Sequence, residues 1–301
     1  GPGLDLGRQC PARDRGLQGA WVMRLLLMIF LPLVIAYGDI LKWLWDRWIG
    51  AGSYYSHGPL LPLLAAFVIY TRRDQIQALP RRVDPRAWWL LGCGLLLRLV
   101  GAAVTVDSLS AASLTLTLCG AVWLALGAAR LRMLLPVLLL AVFATPPPLD
   151  FTNQIAVELK EFAIGASLSL GNALGLGAVR NGADLFVPPQ TGALEVADAC
   201  GGLRSLVALT TLGYVLAFFF GGDSIKRRVV LLVAAVPVAL LMNILRIVGL
   251  CFVARTWGVE FAGRGGHTIM NIAEWVLDLL VLLAIDFGID RWESSRRQEA
   301  L

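Results

Sequence analysis

Long apolar runs separated by short polar segments dominate this chain. Most of the runs approach about 20 residues, the length that an α-helix needs to cross the hydrocarbon core of a bilayer. The pattern predicts eight membrane-spanning helices, at 25–41, 53–71, 87–106, 109–129, 133–149, 203–221, 229–251 and 268–288. We therefore expect an all-α polytopic membrane protein.

The stretch 150–199 is the longest segment between two spans, and it predicts two further elements. From Phe151 to Leu174, charged residues alternate with apolar ones in a pattern typical of a helix lying on the membrane surface. Two short alternating runs follow around a Pro/Gly turn, Ala183–Val187 and Ala193–Ala197. They predict a small β-hairpin that leads to Cys200 and the sixth span.

Composition and charge support this class of protein. The chain is 57% hydrophobic and only 16% charged, whereas soluble domains carry about 25% charged residues. Of the 26 Lys and Arg residues, 17 fall in segments on one side of the predicted spans, six on the other side and three within spans. The positive-inside rule places the side with 17 in the cytoplasm. Both termini are then cytoplasmic, and the net charge of +5 reflects topology rather than binding to nucleic acid.

We divide the chain into three parts. Residues 1–24 are a cytoplasmic N-terminal segment, whose initial Gly-Pro-Gly resembles a tag remnant. Residues 25–290 form the eight-span domain, with 150–199 as an extracytoplasmic insert, and 291–301 are a cytoplasmic tail. The five cysteines show neither a CxxC motif nor metal-ligand spacing, so we predict no metal and no cofactor.

Three reactive or charged residues fall at the outer ends of predicted spans. They are Cys200, Arg246 and His267, and because successive spans alternate in direction, all three lie at the same membrane face. A thiol, a guanidinium and an imidazole together can perform cysteine-based acyl transfer.

Cys200 precedes Gly201, Gly202 and a helix. The positive end of a helix dipole favours a thiolate, and glycine N–H groups could bind an oxyanion. The alternatives are an inert cysteine at a helix cap, or a disulfide with Cys251.

Arg246 lies 17 residues after Val229, which places it about 25 Å along the helix and near the outer edge of the hydrocarbon. A charge at that depth usually has a partner or a function, although Arg246 could also snorkel to the headgroups. Asn243, three residues earlier, shares its helix face.

His267 begins a polar stripe along the last span. Asn271, Glu274 and Asp278 follow at offsets of 4, 7 and 11, so the stripe should face the interior of the helix bundle. It could instead be a structural seam, with Arg98 as the ion-pair partner of Asp278.

Three more residues are candidates for substrate binding, together with Asn243. His57, beside Tyr54 and Tyr55, could contact substrate or act as an interfacial anchor. Arg204 follows Cys200 by four residues and could pair with Glu195 or with Asp198, or bind an anionic substrate.

These residues resemble the exosortase/archaeosortase family of membrane cysteine transpeptidases. The resemblance rests on Tyr55-Ser56-His57-Gly58 with Pro62, on the block Glu195–Ser205, on Asn243-Ile244-Leu245-Arg246 and on His267, and it covers about 25–290. The family usually has Ser after the cysteine and often Phe before the histidine, where this chain has Gly201 and Gly266.

The resemblance implies a function. The substrates would be membrane-anchored proteins with a C-terminal sorting signal, made of a Pro-Glu-Pro motif, a transmembrane helix and a basic tail. The enzyme would sit in the bacterial inner membrane and transfer the cleaved protein to an envelope acceptor. Cys200 would be the nucleophile, Arg246 the transition-state stabiliser and His267 the acid/base. The alternative is a transporter or an envelope-assembly scaffold, in which the buried charges line a solute path.

Overall fold

The computed structural model describes residues 31–190, 192–195, 201–220 and 224–299, and this part is mostly helical. Helical backbone at 31–36 is followed by α1 (Gly38–Ile49), α2 (Leu60–Thr71), α3 (Arg73–Ala78), α4 (Ala87–Ala103), α5 (Asp107–Leu126), α6 (Ala128–Leu138), α7 (Leu140–Ala144) and α8 (Leu149–Ala173). Three short strands come next, β1 (Val179–Asn181), β2 (Asp184–Phe186) and β3 (Ala193–Glu195). The remaining helices are α9 (Leu203–Val215), which continues as a π-helical turn at Leu216–Phe220, α10 (Ile225–Trp257), α11 (Val259–Phe261) and α12 (His267–Glu299).

Length and composition make some of these helices candidates for membrane spans. Among the described residues, three helical stretches are long and apolar enough to cross a bilayer: Asp107–Leu126, Leu203–Phe220 and Ile225–Trp257. The stretches Ala128–Ala144 and Leu149–Ala173 would add a fourth if they form one broken span. A mostly helical membrane protein is therefore confirmed, whereas the count of eight spans is not, although a helix occupies part of every predicted position.

The chain separates into two compact units, the first formed by Gly1–Trp43 and Arg72–Leu138. Within it, α4 packs closely on α5, because glycines of α4 lie directly against the polar residues of α5. Arg98 on α4 forms an ion pair with Asp39, with 2.6 Å between Nη2 and Oδ2. The predicted pairing of Arg98 with Asp278 is therefore wrong, since depth in the membrane gives no information on which helices are neighbours.

The second unit comprises Leu44–Thr71 and Leu139–Leu301. Its centre is the packing of α9, α10 and α12, with Leu209, Ala235, Ala239 and Leu282 in a shared apolar core. The helices α10 and α12 run antiparallel. Ser224 and Arg227, at the start of α10, bond residues late in α12. Arg246, in the second half of α10, bonds Glu274 in the first half of α12.

The predicted insert packs on the second half of α10. The helix predicted at 151–174 is confirmed as α8, while its position on the membrane surface stays a prediction. The hairpin is confirmed as β2 and β3, which pair antiparallel with Leu185 opposite Leu194. The strand β1 was not predicted and completes a three-stranded sheet in the order β1-β2-β3. Ile164 of α8 and Leu185 of β2 are fully buried against α10 residues that follow Arg246 directly. The insert therefore covers the Arg246 end of α10.

Candidate active site

The start of α9 lies directly against α10. Gly202 caps α9 with a left-handed backbone (φ +87°), a conformation that only glycine adopts without strain. A Cβ at this position would lie 2.8 Å from Nδ2 of Asn243. Gly202, two residues after Cys200, therefore allows both the left-handed turn and the close approach of the two helices.

We expect Gly202→Ala to be more destabilising than a substitution with the same backbone cost. Gly175→Ala is the matched control, because Gly175 has φ +85° in the turn that ends α8 but nothing within 4 Å of the added Cβ. The left-handed backbone should cost about 1–2 kcal/mol in both variants, and the contact with Asn243 adds to this only at Gly202. Thermal unfolding of the purified proteins in detergent measures the difference. Equal losses would contradict the close packing of α9 on α10.

Arg246 forms a buried ion pair inside the bundle. Its Nη1 donates to the carboxylate of Glu274 and lies 3.5 Å from Oδ1 of Asn271, both on α12. The side chains of Arg246 and Glu274 are only 3% and 2% exposed. The alternative in which Arg246 snorkels to the headgroups is therefore wrong, because its guanidinium is enclosed by protein.

Glu274 also binds the first turn of α9. Ser205 Oγ donates to Glu274 Oε1 at 2.9 Å. Three helices thus meet at one carboxylate: α9 through Ser205, α10 through Arg246 and α12 through Glu274 itself. The sequence analysis placed Glu274 on the polar stripe but did not identify its partners, and it included Ser205 only as the last residue of the block Glu195–Ser205.

Asn243 and Asp278 extend this polar cluster. Both are buried, at 1% and 2% exposure, and Asn243 Oδ1 and Asp278 Oδ1 have no hydrogen-bond partner among the described residues. The polar stripe of α12 therefore does face the interior. Buried acceptors of this kind are unusual outside functional sites. Within the described ranges, no three His, Cys, Asp or Glu side chains are grouped as metal ligands.

Along the sequence, the predicted nucleophile and the predicted acid/base lie near residues of this polar cluster. Cys200 is outside the described residues, and Gly202 two positions later contacts Asn243. His267 is the first residue of α12, and its side chain is outside the described part. Glu274 follows it by seven residues, about 10 Å along the helix axis. The approach of the thiol to the imidazole stays a prediction.

Cys251 is a free, buried thiol, as is Cys119, while Cys93 is free and exposed. The alternative of a Cys200–Cys251 disulfide is therefore wrong.

The segment before α2 contacts another side of α9 at two positions, Arg204 and Thr211. Arg204 Nε donates to the carbonyl of Ser53 at 3.1 Å, and His57 Nε2 lies 3.3 Å from Thr211 Oγ1. His57 lies in the turn before α2. His57 is thus part of the packing on α9 and is not brought to the Arg246 cluster.

The predicted pairing of Arg204 with Glu195 or Asp198 stays a prediction. Glu195 is the last residue of β3, and its side chain is outside the described part, as is Asp198. Ser53, whose carbonyl accepts from Arg204, also lines a cleft of about 220 Å³. Other residues lining this cleft are Asp46, Arg47, Tyr54, Tyr55 and Asn153.

Comparison with known proteins gives one result at the level of the family. A family model described as transmembrane exosortase matches residues 45–286, a range that includes Cys200, Arg246 and His267. No curated protein and no solved structure matches the chain.

Proposed function

Because this chain belongs to the transmembrane exosortase family, we propose that it is a membrane-embedded cysteine protease and transpeptidase. It cleaves membrane-anchored proteins at a C-terminal sorting signal, of the type with a Pro-Glu-Pro motif, a transmembrane helix and a basic tail. It then transfers the shortened protein to an envelope acceptor. Family membership speaks against the transporter or scaffold alternative.

The buried pair of Arg246 and Glu274 is the observation that carries this proposal. It joins α10 to the helix that begins at His267, and Ser205 binds the helix that begins at Leu203 to the same carboxylate. The Gly202 contact with Asn243 brings the chain next to Cys200 onto the same part of α10. The first turns of the helices that begin just after Cys200 and at His267 thus converge at the carboxylate that binds the enclosed Arg246 guanidinium.

The reaction follows from the chemistry of these groups. The Cys200 thiolate attacks the scissile carbonyl, a C–S bond forms, and Arg246 stabilises the oxyanion. His267 donates a proton to the leaving amine as the C–N bond breaks, which leaves a thioester on Cys200. An acceptor amine, or water, then attacks the thioester and gives its proton to His267, and the thiolate is restored.

Substrate binding would use the other side of α9. Arg204 is four residues after Cys200, and its contact with Ser53 holds it beside the cleft at Tyr54 and Tyr55. A cationic group next to an aromatic cleft suits a motif that combines an acidic residue with prolines. Asn243, Glu195 and His57 complete the proposed binding set.

Hydroxylamine tests whether the reaction passes through an acyl-enzyme. We use as reporter a soluble protein fused to the Pro-Glu-Pro motif, a transmembrane helix and a basic tail, reconstituted with the full chain in liposomes. Attack of hydroxylamine on a thioester gives a C-terminal hydroxamate, which mass spectrometry distinguishes from the free acid. A product that is only the acid at every hydroxylamine concentration would contradict the thioester route.

We propose the eight-span topology for a bacterial inner membrane, with both termini cytoplasmic and the active site outside. Two observations support it. The insert packs at the Arg246 end of α10, and the basic run Lys226–Arg228 lies at the other end.

Reporter fusions test this topology. Alkaline phosphatase joined after Gln190 should be active, because the insert is extracytoplasmic, and the same fusion after Gly222 should be inactive. A fluorescent protein that folds only in the cytoplasm should give the reverse pattern. Identical behaviour at the two positions would contradict a shared outer site.

A further inference from the structure

We infer that Glu274 is a positioning residue of the active site, which holds the Arg246 guanidinium in its reactive orientation. This inference rests on the proposed function, in which Arg246 stabilises the oxyanion. Glu274 itself does not touch the substrate in this account, so its effect on the rate passes through Arg246.

Both carboxylate oxygens of Glu274 accept hydrogen bonds, and these restrict the orientation of its side chain. One carboxylate oxygen accepts from Arg246 Nη1, and the other accepts from Ser205 Oγ at 2.9 Å. Because both oxygens are engaged, the carboxylate has a fixed orientation and so fixes the guanidinium that it binds. Ser205 is five residues after Cys200 in the sequence, so the same carboxylate ties the helix that follows the nucleophile to Arg246.

Packing alone does not account for a carboxylate at this position. A buried ion pair generally adds little to stability compared with apolar residues of the same volume. A charged residue at membrane depth is more often part of a functional site. Both side chains of the Arg246–Glu274 pair are buried. The pair lies beside Asn243, whose amide oxygen is buried without a hydrogen-bond partner in the described part of the chain.

The same two helices supply a matched control. Arg227 on α10 binds Asp286 on α12 at 2.6 Å, 19 residues before Arg246 and so about 28 Å away along the helix. This second pair also joins an arginine of α10 to a carboxylate of α12. It lies far from Gly202 and His267. A carboxylate that merely fastens α10 to α12 should behave like Asp286.

The experiment measures processing of the sorting-signal reporter, over a range of reporter densities, by Glu274→Gln and Asp286→Asn. We expect Glu274→Gln to lower kcat about 10²-fold with KM within twofold, because a misplaced catalytic group slows the chemical step rather than binding. Asp286→Asn should lower the unfolding temperature and leave kcat within twofold. If Glu274→Gln does not fold, Glu274→Asp decides, since it keeps the charge, shortens the reach and should still lower kcat about tenfold.

A double-substitution cycle separates positioning from a general structural role. In an Arg246→Lys background, Glu274→Gln should lower kcat by less than a further twofold, because the group through which it acts has already been changed. Full multiplication of the two losses would overturn the inference. So would a Glu274→Gln variant that loses stability as Asp286→Asn does and keeps the kcat of the unmodified enzyme. Failure of the unmodified enzyme to process the reporter would instead overturn the proposed function, and the inference with it.

Discussion

Cys200→Ala abolishes processing of the sorting-signal reporter while the protein still inserts and folds. The expected loss is complete within detection, because no other group can take the place of a nucleophile that forms the covalent intermediate. Purified variants reconstituted with the reporter provide the measurement, and the unfolding temperature in detergent shows that the fold is retained.

Cys93 and Cys119 provide controls for this result. Cys93→Ala and Cys119→Ala should remain active, since both cysteines lie within helices of the first unit and are not near the predicted site in sequence. Normal processing by Cys200→Ala would rule out the mechanism. Loss of processing in Cys119→Ala with an intact fold would point to a different nucleophile.

Arg246→Lys should lower kcat/KM about 10²-fold with a small change in unfolding temperature. Lysine can keep a charge opposite Glu274, so the fold is largely preserved. Its ammonium lacks the planar fork with which arginine binds a carboxylate and a substrate oxygen at the same time. Loss of one oxyanion donor typically costs about 10²–10³-fold in rate.

A lysine substitution elsewhere on the same helix calibrates the Arg246 result. Arg227→Lys changes the other arginine of α10 that pairs with a carboxylate of α12, and it should process the reporter at nearly the normal rate. Near-normal kcat/KM in Arg246→Lys would remove Arg246 from the catalytic set. It would leave Cys200 and His267 as a dyad, with Arg204 as the remaining basic group.

The positions of the helices could be predicted because apolar runs of membrane length are unambiguous. Their ends could not. The helix α10 extends beyond the apolar run 229–251, from its cap at Ser224, whose side chain accepts from the Arg227 amide, to Gly258 with φ +89°. These ends depend on capping and backbone conformation, which do not follow from hydropathy. Likewise β2 and β3 lie in alternating apolar runs, but β1 (Val179–Asn181) has a single apolar residue and shows no such alternation.

The candidate site was predicted as a set of residues and not as a set of contacts. Helical periodicity showed that Glu274 and Asp278 share the face that begins at His267, and the structure confirms that this face is buried. Periodicity gives the face of each helix but not its neighbours. For that reason, the partners of Arg98 and Arg246 became known only from the packed structure.

The most direct test of the account is the mass of Cys200 during turnover. The enzyme is mixed with the sorting-signal reporter, quenched in acid to preserve thioesters, and digested for mass spectrometry. The account predicts that the peptide containing Cys200 carries the new C-terminus of the reporter, that hydroxylamine removes this adduct, and that Cys200→Ala lacks it. Processing of the reporter without any acyl group on Cys200, or with the acyl group on another residue, would contradict the account.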